Sequence, residues 1–204
     1  ETVAVPLSAG ISSTASMIEA AAKRAELPIS VIDPYTTVNT QGYLAVCARE
    51  LAEQGVEPQE IERRLKASVE SGNTLLVPDD LMHLKRGGRL TPLAATLGSM
   101  LKIKPILQLN VGTGGKVDVL DKVRTMSKAL ARMVEVARED GFVPGEYELR
   151  LLDSEGGDSV EQLRRLLEET FAGCTIERST ICPVIAAHTL SLIHISEPTR
   201  LDVI

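Results

Sequence analysis

Tryptophan is absent from this 204-residue chain, and aromatic residues make up only 2% of it. Single-stranded nucleic acid is held largely by stacking bases on aromatic rings, so that function has little to stand on. Cysteine is scarce as well: Cys47, Cys174 and Cys182 are far apart and form no C-x-x-C pair. Neither a zinc site nor a disulfide framework is supported, and reduced thiols of a cytoplasmic protein are the simpler reading. No apolar run reaches the roughly 18 residues that cross a bilayer, so no stable membrane insertion is expected. The start, ETVAVPL, has no basic region and no apolar core of a signal peptide. It reads as a strand met without preamble, as if the chain were cut there. No serine sits in G-x-S-x-G, and no histidine has a partner at metal-ligand spacing. GTGGKV, residues 112–117, resembles a phosphate loop but fails as one: Asn110 stands where its first glycine belongs, and Val117 replaces the Ser/Thr.

What is present is an aliphatic, acidic protein. It is 44% hydrophobic and 25% charged with a formal charge of −6, the composition of a globular domain with a core of Leu, Val, Ile, Ala and Met. The net charge disfavours a general polyanion binder. The charge is uneven, however. From Leu81 to Val117 there are six cations and no acid, leaving 16 of the 22 cations to face all 28 acids. Within this window, LKRGGRLTPLAATLGSMLKIKPIL sets Lys85, Arg86 and Arg89 before an apolar segment and Lys102 and Lys104 after it. Such a local positive region suits a defined anionic ligand or partner; an ordinary solvated face is the alternative.

The periodicity predicts an α/β protein in two parts. TVAVPL and ISVID read as short parallel strands, with helices over 14–25, through Leu44 and Leu51 to Gly55, and from Pro58 to Gly72. In the last of these Ile61, Leu65 and Val69 share one face. After residue 72 the order changes. TLLVP, KPILQLN, KVDVL, YELRLLD, CTIERS and PVIAAH read as strands of a mostly antiparallel sheet, with a hairpin at GTGG. Helices are expected over DDLMHLKR, from Thr91-Pro92 to Lys102, over 122–140, and after a cap at Asp158 or Ser159. The resulting division is 1–72, 73–189 and 190–204. Two loops suit an anion. SAGISST, residues 8–14, lies between a strand and a helix, where free amides and the hydroxyls of Ser8, Ser12, Ser13 and Thr14 gather and Gly10 permits close approach; plain helix capping competes. In KRGGR, Arg89 follows two glycines and can offer its fork to a carboxylate or phosphate; a helix stop with solvated cations competes.

Taken in order, VPLSAGISSTASM, ISVID, DLMHLKRGGRLTPLAATLGSMLKIKPIL, DKVRTMSKAL and PVIAAHT resemble the conserved segments of the DegV family of fatty-acid-binding proteins, over residues 2 to about 189. The resemblance implies a two-lobed fold, with a partial parallel α/β N-terminal lobe and a C-terminal lobe of mostly antiparallel sheet covered by helices. It implies a buried long-chain fatty acid as ligand, no cofactor and no catalysis by this chain. A separate fatty acid kinase subunit would phosphorylate the presented carboxylate, and the acyl phosphate would feed phospholipid synthesis. A cytoplasmic monomer without nucleic-acid binding is implied too. By position, Ser12, Ser8, Arg89 and His188 would meet the carboxylate, with Gly10 and Thr14 shaping the loop and helix cap. Leu93, Leu97, Met100, Leu101, Ile103 and Ile106 would wall the acyl tunnel. A Ser/His acyl hydrolase or transferase using Ser12 and His188 is the alternative. The chain departs from the pattern at Ala9 and Ser13, at Asp33-Pro34-Tyr35, and at both ends. The family's first strand and T-S-x-P-S loop are expected upstream of Glu1. Gly-Pro-Gly is expected after Thr189, where LSLIHISEPTR instead reads as the in-frame translation of a sequencing adapter, so residues 190–204 and His194 are expected to carry no function.

Overall fold

The computed structural model describes residues 2–96, 103–154, 157–189 and 192–197. Strands β1 (Thr2–Ala4) and β2 (Ile29–Val31) pair in parallel around helix α1 (Thr14–Ala25). Helices α2 (Val38–Glu53) and α3 (Pro58–Ser71) follow. Their apolar stripes close a small core in which Ile32, Leu44, Leu51, Ile61 and Leu65 are buried. The expected face of α3 is thus the packed one. Pro58 begins that helix at a position where its missing N–H costs nothing.

From β3 (Asn73–Pro78) onward the chain builds a second sheet with β4 (Lys104–Leu109), β5 (Asp118–Val123), β6 (Leu149–Asp153), β7 (Ile176–Thr180) and β8 (Leu192–Glu197). The strand order is β5-β4-β3-β8-β6-β7. Every neighbouring pair is antiparallel except β6 and β7, which run parallel across helix α7 (Asp158–Thr170). Within the segment expected to carry no function, residues 192–197 form β8, which lies in the sheet between β3 and β6.

Alternation along the strands gives this sheet two apolar faces. Leu75, Val77, Ile106, Leu149, Leu151, Ile193 and Ile195 point to one face. There they meet α7 and helix α6 (Met126–Glu139) through Leu130, Met133, Leu163 and Leu167, with Phe142 edge-on to Phe171 at 4.8 Å. Leu76, Leu107, Leu109 and Leu152 point to the other. On that side lie helix α4 (Leu81–Arg86), helix α8 (Pro183–Thr189) and the N-terminal elements.

Three local expectations change. PVIAAH is helix α8, not a strand. A short apolar run fits either state, and here Pro183 opens a helical turn in which Ile185 and Ala186 both donate to the Cys182 carbonyl. Lys122 and Val123 belong to β5, and α6 starts after Thr125, whose hydroxyl accepts from the Lys128 amide at 3.3 Å. The cap of α7 is Gly157, without a side-chain bond, rather than Asp158 or Ser159. Helix α5 (Pro92–Thr96) begins at Thr91-Pro92 as expected, and Thr91 accepts from the Ala94 amide. The rest of that expected helix lies outside the described residues.

Candidate functional site

The N-terminal elements meet the second face of the large sheet through glycine. Ser8 is fully buried and donates its hydroxyl to the Gly115 carbonyl at 2.8 Å. A Cβ on Gly10 would run into the carbonyls of Gly114 and Gly115, and one on Gly115 would land on the Ser8 hydroxyl. Gly115 also has φ of +68°, a conformation that glycine adopts without the usual steric cost. Gly10 therefore permits close approach, as its position suggests, but what approaches it is the 114–115 turn.

Two threonine hydroxyls add a second tie: Thr36 and Thr74 pair at 2.9 Å. Tyr35 and Val38, on either side of Thr36 and Thr37, have φ of 50° and 51°. For a β-branched residue such as Val38 that backbone is strained, at a cost of about 1–3 kcal/mol. Its neighbour Thr37 reaches the cavity described next.

Beside this junction is a cavity of about 280 Å³. Its apolar wall comes from the second sheet face and the helices over it: Leu76, Leu84, Leu109, Val117 and Ile185, joined by Ile11 from the N-terminal loop. Its polar lining is Ser12, Thr14, Thr37, Thr74, Arg89, His188 and Thr189. Three of the four residues expected at an anionic headgroup, Ser12, Arg89 and His188, thus line one cavity.

Local structure explains how they meet. The Ser8 carbonyl accepts from the amides of both Ile11 and Ser12, curling SAGIS into a tight turn. Ser12 then accepts from the Thr14 amide at 3.2 Å and pairs with the Thr14 hydroxyl at 2.8 Å. Ser13 is the cap residue of α1 but makes no side-chain cap bond, and Thr14 is the first residue of the helix rather than its cap. Asp80 caps α4 by accepting from Met82 at 2.8 Å and His83 at 3.0 Å. Gly88, with φ of +72°, ends that helix and turns the chain so that Arg89 points back. Arg89 donates to the carbonyls of Gly87 and Ile11. It has no carboxylate partner among the described residues, so its charge is available to an incoming anion. The His188 ring lies against Gly87, whose Cβ position is 3.4 Å from Nδ1. His83 Nε2 and the Ala187 carbonyl, 2.8 Å apart, clip α4 to α8. Removing the α4 cap in Asp80→Ala is expected to lower unfolding stability by about 1 kcal/mol, measured by urea denaturation; an unchanged midpoint would show that α4 is held by its packing alone.

Other expected residues fall elsewhere. Ser8 is not on the cavity wall, because its hydroxyl is spent on Gly115. Ile106 is buried on the opposite face of the sheet, against α6 and α7, as strand alternation requires when Leu107 and Leu109 face the cavity side. Leu93 is 67% exposed, and neither it nor the half-buried Ile103 lines the cavity. Leu97, Met100 and Leu101 lie outside the described residues. Thr37 at the cap of α2, Thr74 within β3 and Thr189 at the end of α8 also line the cavity; only Thr74, a polar residue in an otherwise apolar strand, carries a signal in the sequence. No group of three or more His, Cys, Asp or Glu among the described residues could hold a metal ion. No helix among the described residues is long and apolar enough to cross a membrane.

A family profile described as the DegV family matches residues 1–191. The DegV domain-containing protein YqaC of Lactococcus lactis is 35% identical over 163 residues, covering 78% of this chain and 57% of that relative, so the chain spans little more than half of its length. Among solved structures, the fatty acid binding DegV family protein SAG1342 of Streptococcus agalactiae superposes with a TM-score of 0.88 at 30% identity, over 97% of this chain and 69% of that one. DegV of Bacillus subtilis, described as a fatty acid binding protein, gives 0.80 at 28% identity, over 98% and 71%.

Proposed function

The chain belongs to the DegV family, and from that premise we propose that it binds a long-chain fatty acid, with the carboxylate held by Ser12, Arg89 and His188. The observation that carries the reading is one cavity lined both by aliphatic side chains and by the Ser12 hydroxyl, the His188 imidazole and the Arg89 guanidinium, which has no carboxylate partner among the described residues. Each methylene moved from water to such a wall contributes about 0.8 kcal/mol. The acyl chain therefore supplies most of the affinity, and the polar end fixes its direction. A volume of about 280 Å³ is at the low edge of ligand sites, which run from about 300 to 1,000 Å³. It takes the headgroup and the first part of a chain.

The protein then presents the carboxylate to a separate fatty acid kinase, which makes the acyl phosphate used in phospholipid synthesis. Two features support presentation rather than burial of the headgroup. Arg89 is exposed at the cavity, and Lys85 and Arg86 are exposed beside it on α4, where they suit an acidic protein face. The serine hydrolase reading has less support, because the Ser12 hydroxyl is engaged by Thr14.

The test uses the full-length parent protein. Denaturing extraction and mass spectrometry should recover one long-chain fatty acid per chain, and delipidated protein should titrate with oleate or palmitate at one site. An empty protein that refuses both would overturn the binding reading. Acyl phosphate, trapped with hydroxylamine, should form only when kinase, ATP and this protein are combined. Kinase activity on free fatty acid without it would remove the presenting role. Incubation with an activated palmitoyl ester should leave every serine unmodified; an acyl-Ser12 adduct would favour the hydrolase.

A further inference from the structure

A second, much smaller cavity of about 10 Å³ lies at the junction of the two sheets. It is bounded by the 34–36 turn, α2, the end of α3, and the facing ends of β3 and β4. Two hydroxyls on its wall, Thr40 on α2 and Ser68 on α3, are 5% and 1% exposed, and neither oxygen has a hydrogen-bond partner in the protein. A buried hydroxyl left unpaired is costly, and native folds satisfy nearly all of them. A volume of roughly 10–15 Å³ is what one water molecule occupies by this measure, and a trapped water needs two to four polar partners. The lining meets both conditions and is too small for any larger ligand.

We propose that this cavity is a binding site for a single structural water, bridging the hydroxyls of Thr40 and Ser68. The water ties α2 to α3 where both abut the large sheet. Its position gives it a further role. Thr74 and Leu109 form part of both this wall and the wall of the larger cavity, and Thr74 is hydrogen-bonded to Thr36 on the wall of the small one. The water is therefore a filler of the joint on which the larger cavity rests. The inference does not depend on what the larger cavity holds.

The sign of a stability change tests it. If Thr40 is truly unpartnered, Thr40→Val removes a buried, unsatisfied group with almost no change of shape and raises the melting temperature. If the water is there, the same change strips it of a partner and lowers the melting temperature by roughly 2–10 °C. Ser68→Ala should act in the same direction. The double variant should cost less than the sum of the two, because both hydroxyls serve one molecule. A crystal structure of the full-length protein should show a water about 2.7–3.2 Å from both oxygens. A rise in melting temperature for Thr40→Val, additive effects, or a dry cavity in well-ordered density would each overturn the proposal.

Discussion

Gly115→Ala should unfold the protein far more easily than Gly114→Ala, although the two glycines are adjacent and share the left-handed conformation. Their φ angles are +68° and +63°, so either substitution costs about 1–2 kcal/mol of backbone strain. At Gly114 a new methyl meets nothing within 4 Å. At Gly115 it would collide with the Ser8 hydroxyl and press on the Ser8 Cβ and the Tyr35 ring, each at 3.3 Å. Overpacking of this kind adds typically 1–3 kcal/mol, and the displaced Ser8 loses its bond to the Gly115 carbonyl. The total, about 2–5 kcal/mol, is a large fraction of the roughly 5–15 kcal/mol that holds a domain together. Melting should fall by roughly 5–20 °C for Gly115→Ala and by no more than about 8 °C for Gly114→Ala. Differential scanning calorimetry on both variants decides the matter. Equal losses would mean that the loop at Ser8 does not seat against this turn in solution.

Arg89→Ala should weaken binding of oleate to the full-length protein by roughly 10- to 100-fold while leaving its unfolding midpoint within about 0.5 kcal/mol of the parent. A hydrogen bond to a charged group contributes about 1.5–3 kcal/mol. The guanidinium has no carboxylate of its own to lose among the described residues, and its bonds to the Gly87 and Ile11 carbonyls lie at the surface, where substitutions cost little. Arg89→Lys should recover only part of the affinity, since a lysine keeps the charge but not the two-pronged geometry. Titration calorimetry across the three proteins reads this directly. Unchanged affinity in Arg89→Ala would remove the arginine from the headgroup and leave Ser12 and His188 to account for it.

Much of the architecture could be read from the sequence because its signals are local. The stripe of Ile61, Leu65 and Val69 needs only a 3.6-residue period, and Thr91-Pro92 and Gly87-Gly88 punctuate the chain wherever they occur. The cavity is different. Ser12, Arg89 and His188 lie on three separate elements, and no spacing rule joins them; family resemblance alone links them in sequence, and tertiary packing puts them on one wall. The apolar lining is less legible still. Both faces of the large sheet are apolar and covered, so hydrophobicity cannot say which residues of KPILQL look toward the cavity. Leu109 does and Ile106 does not. Helix α8 hides for a related reason: seven residues of PVIAAHT are too few for the period of a helix to show itself against that of a strand. Arg150 carries no sequence signal either. A strand residue in a buried sheet is expected to be apolar, yet this one is 5% exposed, pairs with Glu148 and Glu177, and lies 4.0 Å above the Tyr43 ring.

That last contact bears on how the molecule can be watched. With no tryptophan and only three tyrosines, the chain's ultraviolet emission is tyrosine emission. One of these rings, Tyr147, packs beside Phe142 in the main core. The other two report on the seam: Tyr35 abuts Gly115, and Tyr43 lies beneath Arg150 with its phenol pushed well above the usual range by burial. Two of the three emitting rings thus sit along the line where the halves touch, so unlabelled fluorescence lifetimes, with Tyr147 as the internal reference, become a gauge of how firmly that line is shut.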